Sequence, residues 1–188
     1  MALIIEDGTM PAGANSYAAV ADCDGWQGAR GSTIWPAPPA EPDNDLNLAA
    51  KEAALIKATD YLNGLGWNGK RAPGGRVMAW PRIGAVDADG YSIDENTIPG
   101  AVQAACCYLA GVAYSGTDLQ PILERGGRIQ SESVGSLSTS YFQDAANRDI
   151  YSVLADLLHG LASEFDDYAG TASGNGKPKT TMATAVLA

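Results

Sequence analysis

The sequence predicts a mainly α protein: a small helical bundle of about four helices with long loops, one β-hairpin and flexible terminal arms. Four stretches carry apolar residues at the three- and four-residue spacing of an amphipathic helix. The stretch from Gly126 to Phe142 instead alternates polar with β-branched or aromatic residues, which is typical of paired strands. The segments between them are rich in proline, glycine and polar residues and predict loops.

Capping residues indicate the ends of the first two helices. Asn15 and Ser16 are good N-cap residues for the first helix, and Gly31 lies where its C-terminal stop is expected. Asn44 or Asp45 is expected to cap the second helix, which has the clearest pattern in the chain. The apolar face of this helix consists of Leu48, Leu55, Ala58, Leu62 and Leu65. Its end is marked by Gly64 and Gly66.

The third and fourth helices are predicted from single apolar stripes. Pro99 lies near the first turn of the third helix, where its missing N–H costs nothing. The stripe of that helix consists of Ile98, Val102, Cys106, Leu109 and Ala113. Alanines and glycines beside the stripe make the helix thin, which is typical of a helix central in a bundle or shared between subunits. The apolar face of the fourth helix consists of Ile150, Val153, Leu154, Leu157, Leu158 and Leu161.

The stretch "AWPRIGAVDADGYSIDENTIP", Ala79 to Pro99, has neither a helical nor a strand period. Loops of this length are usually functional or disordered. It can be interpreted as a cation loop, as an active-site lid or as an arm laid against a partner. The run from Asp87 to Gly90 resembles part of a calcium loop, but Ala85 and Asn96 fall where that pattern needs ligands. We therefore favour a turn with solvated acids over a metal site.

The charge balance narrows the classes of partner. The formal net charge is −10, from 22 acidic and 12 basic residues. Such a surface opposes non-specific binding to nucleic acid or to anionic membranes. The chain lacks a run of about 18 or more apolar residues, and its N-terminus lacks the basic region of a signal peptide. We expect the protein to be made and kept in the cytoplasm and not to associate with membranes.

Three cysteines, Cys23, Cys106 and Cys107, form a poor disulfide framework, because their number is odd and two of them are adjacent. Adjacent residues on a helix point in different directions, so Cys106 and Cys107 are not expected to face one metal ion. We expect all three to be buried free thiols in a reducing compartment.

No catalytic constellation is recognisable in the sequence. His159 is the single histidine, and the chain has no G-x-S-x-G nucleophile motif. The "SGNGKPKT" stretch resembles a phosphate loop, but it lacks the second glycine spacing and has Pro178 where a Ser or Thr is needed. We expect a protein that is not an enzyme and needs no cofactor and no metal.

Basic and aromatic residues cluster in one short region. This cluster contains Trp67, Lys70, Arg71, Arg76, Trp80 and Arg82. Such a mixture is typical of single-stranded nucleic-acid binding. The strongly acidic chain favours another interpretation, in which the two tryptophans anchor the long loop on the core and the arginines meet acids or partner carbonyls.

Several segments together resemble one known family. They are "NSYAAVADCDGWQGARG", "KEAALIKATDYLN", "AWPRIG", "IPGAVQAACCYLA" and "LERGGRIQSESVG". They are similar to the head–tail connector adaptors of tailed phages and prophages, whose members also carry the label DnaT-like single-stranded-DNA-binding protein. The resemblance runs from about Asn15 to Leu161, and its most specific pieces are "ATDYL", "WPR" and Ile98-Pro99.

The connector resemblance implies a structural protein. Similar adaptors form a ring, usually of about twelve copies, below the portal and extend the DNA channel. The implied partners are other copies of the chain, the portal protein and the next connector or stopper (tail-completion) protein, while duplex DNA passes through the lumen without specific binding. The implied location is the portal vertex of the virion, with host cytoplasm during assembly. The DnaT label implies the alternative, a primosome-type protein that binds single strands.

Under the connector interpretation the long loop is an inter-subunit arm. Its expected anchors are Trp67, Trp80, Pro81, Ile98 and Pro99. The candidate subunit-interface residues are Arg82, Tyr91, Ala101, Ala105, Gly111, Ile129, Val134, Leu137 and Tyr141.

The chain is expected to divide into an adaptor domain, residues 1–162, and a flexible C-terminal tail, residues 163–188. The tail is small and polar until its apolar last residues, and a free segment of this composition cannot offset its ordering entropy. We expect it to order on the assembled vertex, with Val186 and Leu187 as candidate portal-docking anchors.

Overall fold

A computed structural model of the chain describes residues 2–39, 46–72, 78–120, 131–134, 137–140 and 152–165. Across these ranges the helices are α1 (Val20–Ala29), α2 (Leu48–Asn63), α3 (Gly100–Tyr114) and α4 (Ser152–Leu158), followed by a 3-10 helix (Ser163–Phe165). The strands are β1 (Lys70–Arg71), β2 (Arg82–Ile83), β3 (Ser131–Val134) and β4 (Leu137–Ser140). The predicted mainly α class with four helices and a β-hairpin is confirmed.

Two antiparallel strand pairs accompany the helices. β3 pairs with β4 as the predicted hairpin, with Ser131 opposite Ser140 and Val134 opposite Leu137. β1 pairs with β2, with Lys70 opposite Ile83 and Arg71 opposite Arg82. This second, shorter pair fastens the start of the long loop to the segment that follows α2.

Helix α3 is the centre of the bundle. It contacts each of the other three helices, and it runs antiparallel to α2, since Tyr114 bonds Asn47 while Thr59 lies 3.6 Å from the Cys106 sulfur. Its predicted stripe is confirmed, because all five side chains are at most 7% exposed: Ile98, Val102, Cys106, Leu109 and Ala113. The small residues beside the stripe let the neighbouring helices approach closely.

The predicted start of the first helix is wrong. Helix α1 begins at Val20, and the Asp22 carboxylate accepts the Ala19 N–H at its start. Asn15 instead accepts the Ile4 N–H and donates to the Ala2 carbonyl, so its side chain ties down the N-terminal segment. The other predicted ends agree with the structure where they can be compared. Gly31, with φ of +63°, follows the end of α1, and Gly64 follows α2.

The predicted apolar faces of α2 and α4 are correct in their centres, but each contains one residue that is more exposed than predicted. Leu55 and Leu62 are fully buried, whereas Leu48 is 41% exposed. In α4, Leu154 and Leu158 are fully buried, whereas Val153 is 37% exposed. Periodicity alone therefore overestimates the buried face of each helix. Asn44, Asp45 and Ile150 lie outside the described residues.

No helix in the described ranges has the length and hydropathy needed to cross a bilayer.

A buried ion pair joins α1 to α2. Lys51 is fully buried, and its Nζ lies 2.8 Å from Oδ1 of Asp24. The indole Nε1 of Trp35 donates to the same oxygen at 2.6 Å. A buried ammonium is costly unless a carboxylate and further polar groups accompany it. The pair therefore fixes both helices and the loop after α1 in one arrangement.

The cysteines differ from the sequence expectation. Cys23 and Cys107 form a disulfide between α1 and α3, with Cα atoms 5.0 Å apart and 84 residues apart in sequence. Cys106 is free and buried, and it faces Thr59 of α2 instead. The expectation of three free thiols is wrong, since adjacent helical residues point to different helices and Cys107 alone reaches Cys23.

We expect the disulfide to contribute roughly 2–4 kcal/mol to the free energy of unfolding, because it closes a long loop in the unfolded chain. Cys23→Ala should lose this amount in urea denaturation, and the matched buried variant Cys106→Ala should lose much less. Reductant should destabilise the natural chain but leave Cys23→Ala unchanged. Denatured, unreduced protein should titrate one thiol per chain; three reactive thiols would contradict the pairing.

Candidate functional site

The long loop between β1 and α3 is anchored at both ends to its own helices. Trp80 is 1% exposed, and Pro81 beside it is buried, with a cis peptide bond between them. At the far end Ile98 is buried and Pro99 is half-buried at the start of α3. The sequence-predicted anchors thus lie against the core of the same chain.

Arg82 holds the irregular backbone around the start of the loop. It is 7% exposed, and its guanidinium donates to four carbonyl oxygens of its own chain. Nε donates to Asn68 at 2.6 Å, and Nη1 donates to Ala79 at 3.0 Å. Nη2 donates to Trp67 at 3.2 Å and to Gly69 at 2.8 Å. Burial, and secondarily the charge of Arg71, lowers the pKa of Arg82. The side chain predicted to meet a partner is therefore occupied within the subunit.

A second polar node joins the loop to α2. The Tyr17 hydroxyl donates to Oδ1 of Asn63 at 2.6 Å and accepts the N–H groups of Ala79 and Trp80 at 2.9 and 3.1 Å. The Ala79 N–H also reaches Oδ1 of Asn63, at 2.8 Å. Burial raises the pKa of Tyr17 well above its ordinary 10.0. The node supplies partners for backbone groups that no strand or helix satisfies.

The two tryptophans of the basic and aromatic cluster face inward. Trp67 and Trp80 pack edge to face with ring centroids 5.6 Å apart, and both are at most 8% exposed. Trp67 donates its indole N–H to the Leu62 carbonyl at 2.8 Å. Stacking on bases needs exposed ring faces. Of the basic residues, Lys70 and Arg71 are exposed on β1, and Arg76 lies outside the described residues.

The middle of the loop is a compact turn. The Asp87 carboxylate accepts the N–H groups of Asp89 and Tyr91 at 3.0 and 2.8 Å, and Gly90 adopts φ of +88°. Val86 pairs with Ser92, and the Ile93 N–H donates to Ala85. The run that resembled a calcium loop is thus a turn stabilised by one aspartate. No group of three or more His, Cys, Asp or Glu in the described ranges could hold a metal ion.

Close contacts with other segments of the same chain fix the loop along its length. A Cβ on Gly8 would overlap the Asn96 carbonyl, and one on Gly160 would overlap the backbone of Ala88. Both glycines have positive φ, so any other residue would be strained there as well. The N-terminal segment and the end of α4 thereby hold the loop on both sides.

Three side chains of this loop are exposed, and we group them under the name loop ridge. They are Ile83 and Val86, each 39% exposed, and Tyr91, which is 72% exposed. Exposed acids accompany them at Asp89, Asp94 and Glu95. Acids therefore border the ridge near Tyr91, whereas the exposed cations Lys70 and Arg71 lie beside Ile83 on β1.

The remaining predicted interface residues lie elsewhere. Ala105 and Gly111 are buried inside the subunit, and Ala101 is half-buried. A Cβ on Gly111 would overlap the Gln27 amide, whose Nε2 donates to the Cys107 carbonyl at 2.7 Å. Gly111 therefore serves packing against α1. Val134 and Leu137 are paired in the hairpin, and these residues fall outside the described ranges: Ile129, Tyr141, Val186 and Leu187.

The sequence reasoning missed a groove between the start of α2 and the end of α3. This feature, which we name the α2–α3 groove, is open and has a volume of about 390 Å³. Its lining residues are Ala50, Ala53, Ala54, Lys57, Ala113 and Tyr114. The signal for it was the alanine spacing on α2, which leaves a shallow face where larger apolar residues would fill the space.

Comparison with known proteins gives one match. A family model described as "Putative DnaT-like ssDNA binding protein" matches residues 1–185. No curated protein and no solved structure matches the chain. The matched range contains every helix and strand described above, together with the loop ridge and the α2–α3 groove.

Replacing Arg82 should destabilise the fold without any partner present. We expect Arg82→Leu to lower the free energy of unfolding by roughly 2–4 kcal/mol, because the buried carbonyls lose their donors. Arg82→Lys should lose less, since it keeps the charge and some donors. The matched control is Arg71→Leu, at the exposed cross-strand partner, which should change stability by about 0.5 kcal/mol or less. Equal effects in urea denaturation at both positions would contradict the role assigned to Arg82.

The buried Tyr17 hydroxyl should make the fold sensitive to alkaline pH. Its raised pKa means that the native state keeps this proton where the unfolded chain releases it, so stability falls as pH rises above about 10. The slope should approach about 1.4 kcal/mol per pH unit. Because burial also raises the pKa of the Cys106 thiol, the measurement is made in a Cys106→Ala background. Tyr17→Phe should reduce the slope; an unchanged slope in urea titrations between about pH 9 and 11 would refute this origin.

Proposed function

The chain belongs to the DnaT-like ssDNA binding protein family, and from that premise we propose that it is a structural subunit, without catalytic activity, of a phage head–tail connector ring. In this role it attaches below the portal and extends the DNA channel. The family description names single-stranded DNA, so the two functions must be weighed on the side chains of this chain.

The observation that carries the proposal is the loop ridge on its rigid support. Ile83, Val86 and Tyr91 are exposed, yet the backbone beneath them is held by Arg82 and Tyr17. A surface ordered before binding loses little conformational entropy when a partner covers it. Exposed apolar and aromatic side chains with a polar border are typical of protein–protein interfaces. The ridge therefore fits a protein partner.

The same region offers little to a single strand. Trp67 and Trp80 are buried, and Arg82 is bonded to its own backbone. Three exposed acids, Asp89, Asp94 and Glu95, lie near Tyr91 in the loop, and the whole chain carries a formal charge of −10. A negative surface repels phosphate but suits the wall of a channel through which duplex DNA must slide. The charge distribution favours the connector over a strand binder.

The proposal includes the partners and the location of such a subunit. Copies of the chain form the ring, the portal protein binds one face, and the next connector or stopper protein binds the other. The protein is assembled in host cytoplasm and kept in the virion at the portal vertex. The C-terminal tail, with Val186 and Leu187, is proposed as a further portal contact.

One observation favours the second candidate, a single-strand DNA binder. Lys70 and Arg71 are adjacent and exposed on β1, and Ile83 lies opposite Lys70. Two exposed cations beside an apolar side chain could hold a short length of backbone. Arg82 should not be used to test this candidate, because its loss would weaken the fold and mimic a loss of binding.

The decisive experiment mixes the purified chain with the portal protein encoded in the same phage or prophage genome. We expect a symmetric complex by electron microscopy and by light scattering, with several copies of the chain on each portal ring. Gel shifts with single-stranded oligonucleotides at physiological salt should show no tight binding. Failure to bind the portal at micromolar concentrations would contradict the proposal.

The alternative predicts a different pair of results. Single-strand binding would be sub-micromolar and steeply dependent on salt. The double variant Lys70→Ala, Arg71→Ala would weaken it and reduce the salt slope by about 1.4, at roughly 0.7 per phosphate contact. The variant Ile34→Ser, which changes an exposed apolar residue after α1, is the control expected to alter neither assay.

A further inference from the structure

We propose that the loop ridge of one copy seats in the α2–α3 groove of the next copy, with Tyr91 as the inserted side chain. This inference rests on the proposed ring and names the contact that builds it. The occupant of the groove is thus a second copy of this chain. The argument depends on where the two surfaces lie, on their sizes and on their charges.

The ridge and the groove lie toward opposite ends of the α2–α3 pair. At one end the Tyr17 and Asn63 node holds the beginning of the loop against the last residue of α2. At the other end the Tyr114 hydroxyl bonds Asn47, at the end of α3 and the start of α2. Sixteen residues of helix separate these ends, which is about 24 Å.

One copy therefore presents two unlike surfaces at a distance. A contact between unlike patches is head-to-tail, and repeating it produces a ring when the rotation closes. A two-fold dimer would instead bury the same patch on both copies. The placement of the ridge and the groove matches a head-to-tail assembly.

The two surfaces are complementary in size. Tyr91 is 72% exposed and stands beyond a tight turn, so its ring projects from the subunit. The groove, of about 390 Å³, is lined by four alanines together with Lys57 and Tyr114, and the short alanine side chains leave space above the helices. That volume is near the lower end of the roughly 300–1,000 Å³ of small-ligand pockets, which suits one or two side chains. Aromatic anchors in such recesses are the usual hot spots of protein interfaces.

The charges are complementary as well. The ridge carries exposed Asp89 two residues before Tyr91, with Asp94 and Glu95 nearby in the loop. The groove carries Lys57, which is exposed on α2. Opposite charges at the border of an apolar contact fix its register and exclude wrong partners. The acids near Tyr91 would repel nucleic acid and accept this lysine.

The test is a cysteine cross-link between the surfaces. Tyr91 and Ala53 are both exposed, so the double variant Tyr91→Cys, Ala53→Cys should fold normally. With the portal present, mild oxidation should give a ladder of covalent oligomers beyond the dimer on a non-reducing gel. Each single variant is a control and should stop at the dimer.

Charge reversal gives an independent measurement. Lys57→Glu should weaken assembly on the portal about tenfold or more, because it places acids against acids. Adding Asp89→Lys should restore most of the loss. Arg30→Glu, an equal change of charge at an exposed residue after α1, should have no such effect.

The outcomes separate this contact from the ring itself. If the natural chain forms a symmetric complex on the portal but the double cysteine variant gives no ladder, this contact is wrong and the ring stands. A ladder that ends at the dimer would also overturn it, in favour of a two-fold contact. Cross-linking of the groove cysteine to the portal would assign the groove to that partner instead. If the natural chain forms no complex, both the ring and this contact are overturned.

Discussion

The buried guanidinium of Arg82 is the interaction on which the rest of the loop architecture depends. Two segments surround this side chain in the fold, residues 67–69 and residue 79. Their carbonyl groups have almost no partners in helices or strands. Buried carbonyls without donors are costly, and arginine is the side chain with the most donors in a fixed geometry. One side chain thus replaces the hydrogen bonds that a larger sheet would have supplied. A two-residue strand pair, β1 with β2, is enough because Arg82 lies within it.

Rigidity at the base of the loop determines what its tip can do. The Tyr17 and Asn63 node and the close contacts of Gly8 and Gly160 hold the loop against other segments of the chain at several places. A catalytic lid must open, whereas a surface for a partner gains from being ordered in advance. The same network also turns the aromatic rings of the loop base inward. The residues that most resemble a strand-binding cluster in sequence are thereby used to hold the base of the loop.

Sequence periodicity predicted the elements well and the contacts between them poorly. The stripe of α3 follows from local spacing alone, and every member of it is buried. Asn15, by contrast, has the propensity of an N-cap but serves a tertiary contact with Ile4. The disulfide joins residues 84 apart, and no local pattern distinguishes Cys107 from Cys106 as the partner of Cys23. The groove arises where two helix ends meet, so it depends on packing that a linear pattern does not contain. The inward turn of Arg82 follows from unsatisfied carbonyls on two separate segments, which become neighbours only in the fold.

In the proposed ring, the fixed α2–α3 pair would also limit the number of copies. A head-to-tail ring closes only when the rotation that relates one subunit to the next is a whole-number fraction of a full turn. That rotation is set by the angle between the two contact surfaces of one subunit. If ridge and groove were joined by flexible segments, that angle would vary and rings of several sizes would form. Here the two surfaces are joined by helices that pack against each other, with Thr59 against Cys106 in the middle and Tyr114 bonded to Asn47 at one end. The disulfide from α3 to α1 and the Lys51 to Asp24 pair from α2 to α1 add a third helix to the same unit. The bonds that stabilise the small bundle therefore also hold constant the geometry on which closure of the ring depends.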